Sequence, residues 1–173
     1  MINWYPGHMA SARRMLEDNL KIIDAALVML DARLPYSSRN PDLDRLLKNK
    51  KQIYIMNKAD LADPDKTKLW LSYFRARGCE AAQMCARSGS RRELLDMINR
   101  ILRPEVERFR QKGINKTIRL LVCGIPNSGK STLINMLAGQ ARAKTGDKPG
   151  VTRGKQWIRV GDYMELLDCP GLL

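Results

Sequence analysis

Hydrophobic and polar residues follow two different periods along the chain, and stretches of the two periods alternate. Short continuous apolar runs, such as AALVMLD at 25–31, predict buried β-strands. Stretches with apolar residues three and four positions apart predict amphipathic helices. The predicted strands are 25–31, 52–57, 79–86, 117–124, 155–160 and 163–168. The predicted helices are 9–23, 41–49, 64–77, 90–102 and 129–138.

Strands that alternate with helices predict an α/β fold, in which helices cover both faces of a mostly parallel sheet. Only the turn Gly161-Asp162 separates the last two strands, so we expect a hairpin that supplies an antiparallel edge. Pro104 is expected to interrupt the fourth predicted helix, with a basic continuation to Lys112. Residues 139–154, rich in Gly, Lys and Pro, predict a loop. The pattern therefore indicates one three-layer domain.

The charge of this 173-residue chain changes the picture. Lys and Arg number 31 and Asp and Glu 18, a net charge of +13, which favours a polyanionic partner and nucleic acid first. The cations form four clusters, at 48–51, 87–92, 100–119 and 142–155. With no long apolar run and no apolar stretch before a cleavage site, we expect neither a membrane span nor a secretory signal.

Cysteine usage and the N-terminal composition bear on location. The four cysteines form no CxxC pair and no metal-ligand spacing, so we expect reduced, buried thiols in a cytoplasmic protein. A mitochondrial protein is the alternative. Glu17, Asp18 and Asp24 argue against an acid-poor transit peptide, although weakly.

The segment GIPNSGKS at 124–131 matches the phosphate-loop pattern GxxxxGKS, between a predicted strand and a predicted helix. Its glycines allow successive backbone N–H groups to point at a phosphate, and the helix N-terminus adds its positive end. Lys130 would neutralise the terminal phosphates, and the Ser131 hydroxyl would ligate magnesium. The expected nucleotide contacts of this loop come from Asn127, Ser128, Gly129, Lys130, Ser131 and Thr132.

Two further segments complete the expected phosphate site. DCPG at 168–171 ends the last predicted strand, where Asp168 would hold magnesium through water and the Gly171 backbone N–H would meet the γ-phosphate. A second hydroxyl for the magnesium is expected from the loop between the two motifs, which folds over when the γ-phosphate is present. Thr152 is the candidate for that hydroxyl, and Thr145 is the alternative.

The tetrapeptide NKAD at 57–60 predicts guanine selectivity. The Asp60 carboxylate can accept hydrogen bonds from the ring N–H and the exocyclic amino group of guanine, a donor pair that adenine lacks. Asn57 can bond the base edge and tie this loop to the phosphate site. The aliphatic stem of Lys58 can cover the base face. The motif argues against an ATPase or a P-loop kinase.

The guanine motif lies upstream of the phosphate loop, the reverse of the usual order in GTPases. CAR at 85–87 follows the next predicted strand, and the backbone N–H of Ala86 is expected near the guanine carbonyl oxygen. The Cys85 thiol, a weak donor, adds little at this position.

These motifs in this order resemble the circularly permuted GTPases of the YlqF/RbgA family, known also through the mitochondrial Mtg proteins. The resemblance covers the whole chain. It rests on NWYPGHMASARR (3–14), DARLPYSSRNP (31–41), GIPNSGKSTLIN, TGDKPGVTRGKQW and ELLDCPGLL. It implies a circularly permuted P-loop GTPase that acts late in assembly of the large ribosomal subunit and binds its rRNA. Ser128 and Cys85 depart from the family pattern, which has a small apolar residue and a Ser or Asn there.

The resemblance also implies a domain organisation. Residues 1–173 are expected to form the permuted GTPase domain, with an N-terminal helical arm at 1–23. Family members continue into a helical domain, whereas this sequence stops at Leu173, so we expect it to be a piece of a longer protein. We expect a monomer.

The expected chemistry is slow hydrolysis of GTP to GDP, stimulated by ribosomal particles and by potassium. Leu172 stands where many GTPases have a water-orienting Gln. Similarity to the family makes His8 a candidate for positioning the water alongside Lys130 and Thr152, the alternative being a local contact at a helix end. In related GTPases an Asn at the position of Asn127 helps to hold potassium, the alternative being bonds to the loop backbone. A GTP-gated RNA-binding module in which hydrolysis is incidental is the competing function.

Overall fold

The computed structural model describes residues 17–85, 88–139 and 157–168, with Asp168 described by its backbone alone. Its strands are β1 Ala25–Asp31, β2 Lys51–Asn57, β3 Glu80–Gln83, β4 Ile118–Gly124, β5 Trp157–Val160 and β6 Met164–Asp168. Its helices are α1 Pro41–Leu46, α2 Pro64–Ala76, α3 Arg91–Arg110 and α4 Lys130–Ala138, and a 3-10 turn covers Ala59–Leu61. Residues 17–20 are also helical.

The six strands form one sheet in the order β3-β2-β1-β4-β6-β5. Neighbouring strands run parallel except β5 and β6, which form the antiparallel hairpin at one edge. The predicted α/β class and the predicted edge hairpin are therefore confirmed. Within the described ranges, no helix combines the length and the apolar character that crossing a membrane requires.

Two hydrophobic clusters cover the two faces of the sheet. One face packs against α3 and α4, through residues such as Ile98 and Leu133. The other packs against α1 and α2, through residues such as Leu43 and Phe74. Because β1 and β4 lie in the middle and are buried almost throughout, their sequences are continuous apolar runs rather than alternating ones. The result is the predicted three-layer arrangement.

The predicted interruption at Pro104 is wrong, because α3 continues through it to Arg110. An interior proline costs a helix about 3 kcal/mol. Several side chains on the sheet side of α3, among them Ile98 and Leu102, are fully buried, and each buried aliphatic side chain stabilises by about 1.5–3 kcal/mol. Lys51 Nζ also donates to the Ile101 carbonyl at 2.7 Å, in the turn before the proline. Tertiary packing therefore outweighs the local penalty.

The third predicted strand, 79–86, is too long, since β3 pairs with β2 only from Glu80 to Gln83. This strand lies at the sheet edge, with a neighbour on one side, and one further bond, from the Met84 N–H to the Met56 carbonyl at 2.9 Å, joins the chain to β2 beyond Gln83. Cys79 and Cys85, at its two ends, are consequently half-buried rather than buried, whereas Cys123 in β4 is buried. The three described cysteines are free thiols.

Candidate nucleotide-binding site

The predicted phosphate and base motifs lie side by side at the carboxyl ends of the parallel strands. β4 ends at Gly124, where the phosphate loop begins, and β2 ends at Asn57, where NKAD begins. β1 lies between these two strands, with Met29 opposite Gly124 and Asp31 opposite Asn57. From β1 the sheet continues in one direction to β2 and β3, and in the other to β4 and β6. Open α/β sheets bind ligands at such a reversal of strand order.

The phosphate loop owes its curvature to residues in left-handed backbone conformation. Gly124 has φ 143° and Gly129 has φ 98°, and Asn127 adopts φ 59° without being glycine. A Cβ atom at Gly124 would lie 2.6 Å from the Met29 carbonyl oxygen, and one at Gly129 would lie 2.2 Å from Asn57 Nδ2. Neither position has room for a side chain, so both glycines are required by space as well as by φ.

Lys130 is folded into this loop. It is 9% exposed, and its ammonium group donates to the carbonyls of Gly124 at 3.1 Å and Ile125 at 2.8 Å. It is also the first residue of α4, so the N–H groups of the first helical turn open into the loop. A loop with a buried cation and free helix N–H groups favours bound phosphate.

Of the residues predicted to hold magnesium, Ser131 is the one whose side chain the structure describes. Ser131 lies in the first turn of α4 and is half-buried. The backbone of Asp168 pairs with Val122 on the neighbouring strand, two residues before the phosphate loop begins. A hydroxyl and a carboxylate are oxygen ligands of the kind that magnesium prefers. Thr132 follows in the same helix and is half-buried.

Asn57 connects the base motif to the phosphate loop. Its Nδ2 donates to the Ser128 carbonyl at 2.9 Å, and its side chain is buried. Ser128 itself is 1% exposed, and its hydroxyl donates to the Ile125 carbonyl at 2.8 Å. The polar residue that replaces the apolar one of the family pattern is thus hydrogen-bonded inside the loop.

Lys58 has its ammonium group fixed by a carboxylate that the sequence motifs did not single out. Its Nζ donates to Asp31 Oδ2 at 3.0 Å, while its backbone adopts φ 61°, an uncommon left-handed conformation for a non-glycine residue. Arg33 donates to the same carboxylate through its backbone N at 3.0 Å, Nε at 2.9 Å and Nη2 at 2.7 Å. The Arg33 guanidinium, assisted by Lys58, holds the pKa of Asp31 well below its usual range despite partial burial.

Asp31 is itself held by the turn that follows β1. Its backbone N–H donates to Ser38 Oγ at 3.0 Å, and the Ser38 hydroxyl donates to the Pro35 carbonyl at 3.1 Å. Ser38 is 4% exposed. The sequence places Asp31 at the end of a predicted strand and at the start of DARLPYSSRNP, but it does not show that this strand pairs with the one that carries NKAD.

Asp60, the predicted guanine-binding carboxylate, is exposed and lies in the 3-10 turn Ala59–Leu61. The Ala59 N–H donates to the Met84 carbonyl at 3.2 Å, which joins the NKAD turn to the segment after β3. Next in that segment, the Cys85 carbonyl accepts from the Gly89 N–H at 2.6 Å. A Cβ at Gly89 would lie 2.6 Å from this carbonyl oxygen, so Gly89 is a positional requirement that the sequence motifs did not indicate.

Several predicted site residues lie outside the described residues, namely His8, Ala86, Thr152, Gly171 and the side chain of Asp168. Asn127 is described and exposed, and no hydrogen bond within the described part of the chain uses its side chain. No group of three or more His, Cys, Asp or Glu suited to a metal occurs among the described residues. The described site thus comprises the phosphate loop and most of the base site.

Comparison with known proteins agrees with this geometry. The profile of a family described as 50S ribosome-binding GTPase matches residues 119–173. Ribosome biogenesis GTPase A from Priestia megaterium is 47% identical over 99% of this chain and 61% of its own length. Short integuments 2, mitochondrial, from Arabidopsis thaliana is 35% identical over 99% of this chain and 47% of its own length.

The solved structure of GNP-bound YlqF from T. maritima aligns with a TM-score of 0.68 at 27% identity, covering 94% of this chain and 58% of that one. This chain spans about three fifths of the length of the first curated relatives that it matches. Sequence identity along the whole chain and a shared fold agree with the order of the motifs, in which the guanine motif precedes the phosphate loop. The chain therefore belongs to the YlqF/RbgA family of circularly permuted GTPases.

Proposed function

We propose that the chain binds GTP and hydrolyses it to GDP and phosphate, and that it serves the assembly of the large ribosomal subunit. One observation carries the proposal: the Asn57 side chain bonds the Ser128 carbonyl and so places a guanine-selective motif against a phosphate loop. The first motif selects the base, the second holds the phosphates, and a single nucleotide spans both.

Each end of the nucleotide has its own set of residues. At the base, the exposed Asp60 carboxylate accepts from guanine, Asn57 contacts the base edge, Lys58 covers one face, and the Ala86 N–H meets the guanine carbonyl. At the phosphates, Lys130 leaves its loop carbonyls for the terminal phosphates. Backbone N–H groups of the loop and of the start of α4 neutralise the remaining charge. Gly171 adds its N–H to the γ-phosphate.

Ser131, Thr152 and Asp168 would hold the magnesium ion, which supplies charge neutralisation for the phosphate oxygens when bound. Lys130 and Thr152 serve the transferred phosphoryl group directly. No side chain described in the site is an obvious base for water, so we propose that unaided hydrolysis is slow.

Two residues are proposed to accelerate the reaction. His8 would orient the attacking water in the absence of a Gln after DCPG, and His8→Ala should then abolish particle-stimulated turnover while leaving GTP affinity unchanged. Asn127 would help to hold a potassium ion beside the phosphates, which is consistent with its exposed side chain and left-handed backbone. Equal turnover in potassium chloride and sodium chloride would remove the potassium site.

The proposed partner is the large ribosomal subunit or its rRNA. Several relatives are named for ribosome biogenesis, and the chain carries a net charge of +13, which suits a polyanion. We propose a cytoplasmic monomer, with the mitochondrial matrix as the alternative because one relative is named mitochondrial.

Two measurements test the proposal. In the first, unlabelled GTP and ATP compete with a fluorescent GDP analogue, and only GTP should displace it. In the second, GTP turnover is measured alone and with large-subunit particles, with Lys130→Ala as the inactive control. Stimulation by the particles supports the proposal. Tight GTP binding with no turnover under either condition would instead favour a GTP-gated RNA-binding module.

A further inference from the structure

The largest group of cations in the described chain lies away from the nucleotide site. Residues 100–119 contain seven cations and only two carboxylates, compared with 31 and 18 for the whole chain. This segment covers the second half of α3, the connection that follows it and the start of β4. Nothing in the proposed nucleotide chemistry uses these residues.

Continuity of α3 through Pro104 places three of these cations on one rigid stripe. Arg100, Arg103 and Arg110 are three and seven positions apart, so at about 100° per residue they share one side of the helix. The stripe is about 15 Å long, from the rise of about 1.5 Å per residue. A helix broken at Pro104 would not keep Arg110 aligned with the other two.

The stripe forms one wall of a groove of about 880 Å³. The opposite wall comes from residues 114–117, which lead into β4, and from the turn of the β5–β6 hairpin at Asp162 and Tyr163. Residues 114–117 precede β4 and the turn at Asp162 and Tyr163 precedes β6, whereas the phosphate loop and NKAD follow the strands β4 and β2. The groove and the nucleotide site therefore lie at opposite edges of the sheet and can be occupied together.

The arginines of the stripe are available for a ligand. Lys116 is paired with Asp24, Arg119 Nε lies 3.5 Å from Glu165, and Arg108 lies 4.0 Å from Glu105. Within the described residues no ion pair involves Arg100, Arg103 or Arg110, and all three are exposed. Their guanidinium groups can each present two parallel N–H donors to a phosphate.

The groove is not uniformly cationic, and this indicates its ligand. Asp96, Glu107 and Asp162 also line it, together with the amide of Asn99 and the hydroxyl of Tyr163. Carboxylates repel a ligand that is anionic throughout, such as a membrane of acidic lipids. They can accept hydrogen bonds from the 2′-hydroxyls of ribose, which lie between the phosphates of RNA. A groove that is lined by both guanidinium donors and carboxylate acceptors therefore suits a sugar-phosphate backbone.

We infer that the groove between α3 and the β5–β6 turn binds the backbone of RNA. Arg100, Arg103 and Arg110 contact phosphates, and the carboxylates accept from ribose. The inference rests on the proposed function only for the identity of the RNA, since the groove itself is independent of the nucleotide site. Binding through phosphates and riboses carries little sequence preference, so the RNA is read by its backbone.

The test compares two triple variants of equal net charge. In the first, Arg100, Arg103 and Arg110 are each replaced by Gln, which keeps helix propensity while it removes charge. In the matched control, Arg45, Lys66 and Lys68 on α1 and α2 are replaced by Gln, on the other face of the sheet. The probe is a fluorescently labelled RNA stem-loop with a single-stranded tail. Anisotropy gives the affinity as a function of salt concentration, and a fluorescent GDP analogue reports on the nucleotide site.

The groove variant should bind RNA roughly tenfold more weakly and reduce the slope of log affinity against log salt by about two, as expected for three lost phosphate contacts. The control variant should change the RNA affinity and the salt slope far less. Both triple variants should bind GDP as tightly as the unsubstituted chain does. The three single Arg→Gln variants should each lower the slope in part, which keeps the test valid if the triple variant unfolds.

Equal RNA binding and slopes in the two triple variants would overturn the inference. So would tighter binding to vesicles of phosphatidylserine than to RNA, or equal affinity for DNA of the same sequence, which would remove the ribose contacts. If the chain binds RNA but not GTP, the proposed function fails and the groove stands. If it binds GTP but no RNA, the groove fails alone.

Discussion

The phosphate loop and the NKAD loop, which meet at the carboxyl ends of the parallel strands, are held in shape by different contacts. The phosphate loop is held by local bonds: its glycines provide the curvature, and the side chains of Ser128 and Lys130 donate to carbonyls three to six residues away. The NKAD loop is held by distant partners. Asn57 reaches a carbonyl 71 residues away, and Lys58 reaches a carboxylate 27 residues away.

This difference has a consequence for function. A loop shaped by local backbone geometry depends on a few glycine positions and tolerates change elsewhere. A loop held by distant partners depends on the alignment of the segments that carry those partners, here β1 for Asp31 and the phosphate loop after β4 for Ser128. We therefore expect base affinity to respond to substitutions outside the guanine motif. Affinity for the phosphates should respond mainly to substitutions inside the phosphate loop. A substitution at the contact between Asn57 and Gly129 should lower the affinity for the base and for the phosphates together.

The largest effect is expected at the base contact. Asp60→Asn replaces two hydrogen bonds to a charged acceptor, each of which contributes about 1.5–3 kcal/mol. GTP affinity should fall by at least about a hundredfold. Xanthosine triphosphate should bind the variant better than it binds the unsubstituted chain, because the Asn amide can donate to its second carbonyl. Competition against a fluorescent GDP analogue measures both. Unchanged GTP affinity would place base recognition elsewhere.

The next largest effect is expected where the two loops meet. Gly129→Ala places a Cβ 2.2 Å from Asn57 Nδ2 in a left-handed backbone, whereas Gly78→Ala has a similar φ of 74° and nothing within 4 Å. The control should lose about 1 kcal/mol of unfolding free energy from backbone strain alone. Gly129→Ala should lose about 2–3 kcal/mol and most of its GDP affinity. Urea unfolding and GDP titration compare Gly129→Ala with Gly78→Ala. Equal losses of stability and of GDP affinity in the two variants would refute the clash with Asn57.

The same contrast explains what the sequence could predict. The phosphate loop was identifiable because its geometry is local: a strand, a pattern of Gly and Lys, and a helix follow one another between Ile118 and Ala138. The same holds for β1, whose apolar run coincides with the observed Ala25–Asp31. The ion pair between Lys58 and Asp31 was not identifiable, because these residues become neighbours only when β1 and β2 pair.

Local signals also failed where tertiary packing opposes them. Pro104 is a strong helix breaker by propensity, but the buried side of α3 carries the helix past it. The helical period in the apolar residues 94, 98 and 101 was visible in the sequence. Their burial against the sheet was not visible, and this burial is what outweighs the cost of Pro104. The edge position of β3, which shortens that strand, likewise follows from the sheet order and not from its composition.

A smaller effect is expected from the Lys58–Asp31 contact, which sharpens the claim that the base loop depends on distant partners. Asp31→Asn removes the charge, and Lys58→Met keeps an apolar stem without an ammonium group. Each single variant should weaken GDP binding several-fold, with kcat unchanged. If Asp31 acts through Lys58, the double variant should be no worse than either single one, a coupling of about 1 kcal/mol for a partly buried pair.

The exposed pair Asp65–Lys68, 3.1 Å apart on α2, supplies the matched cycle, in which we expect coupling near zero. GDP titration of the seven proteins, which share one unsubstituted chain, measures both cycles, and GTP turnover of each gives kcat. Additive losses at Asp31 and Lys58 would mean that Asp31 affects the site by some other path than the lysine. Changed kcat in Asp31→Asn would place it in the chemistry rather than in positioning.

The smallest effect is expected in the dependence of stability on pH. Arg33 and then Lys58 lower the pKa of Asp31 in the folded chain, so the folded state holds fewer protons at this carboxyl than the unfolded state. The stabilisation is complete above the unfolded pKa of about 3.9 and fades as pH falls through the lower folded value. The stability difference between the unsubstituted chain and Asp31→Asn should therefore be constant near neutral pH and shrink in acid. Urea unfolding across this range measures it. Arg33→Met removes the main cause of the pKa shift, so in that variant the stabilisation by Asp31 should be lost at higher pH. A stability difference that does not change with pH would mean that the Asp31 carboxylate contributes nothing to the free energy of unfolding.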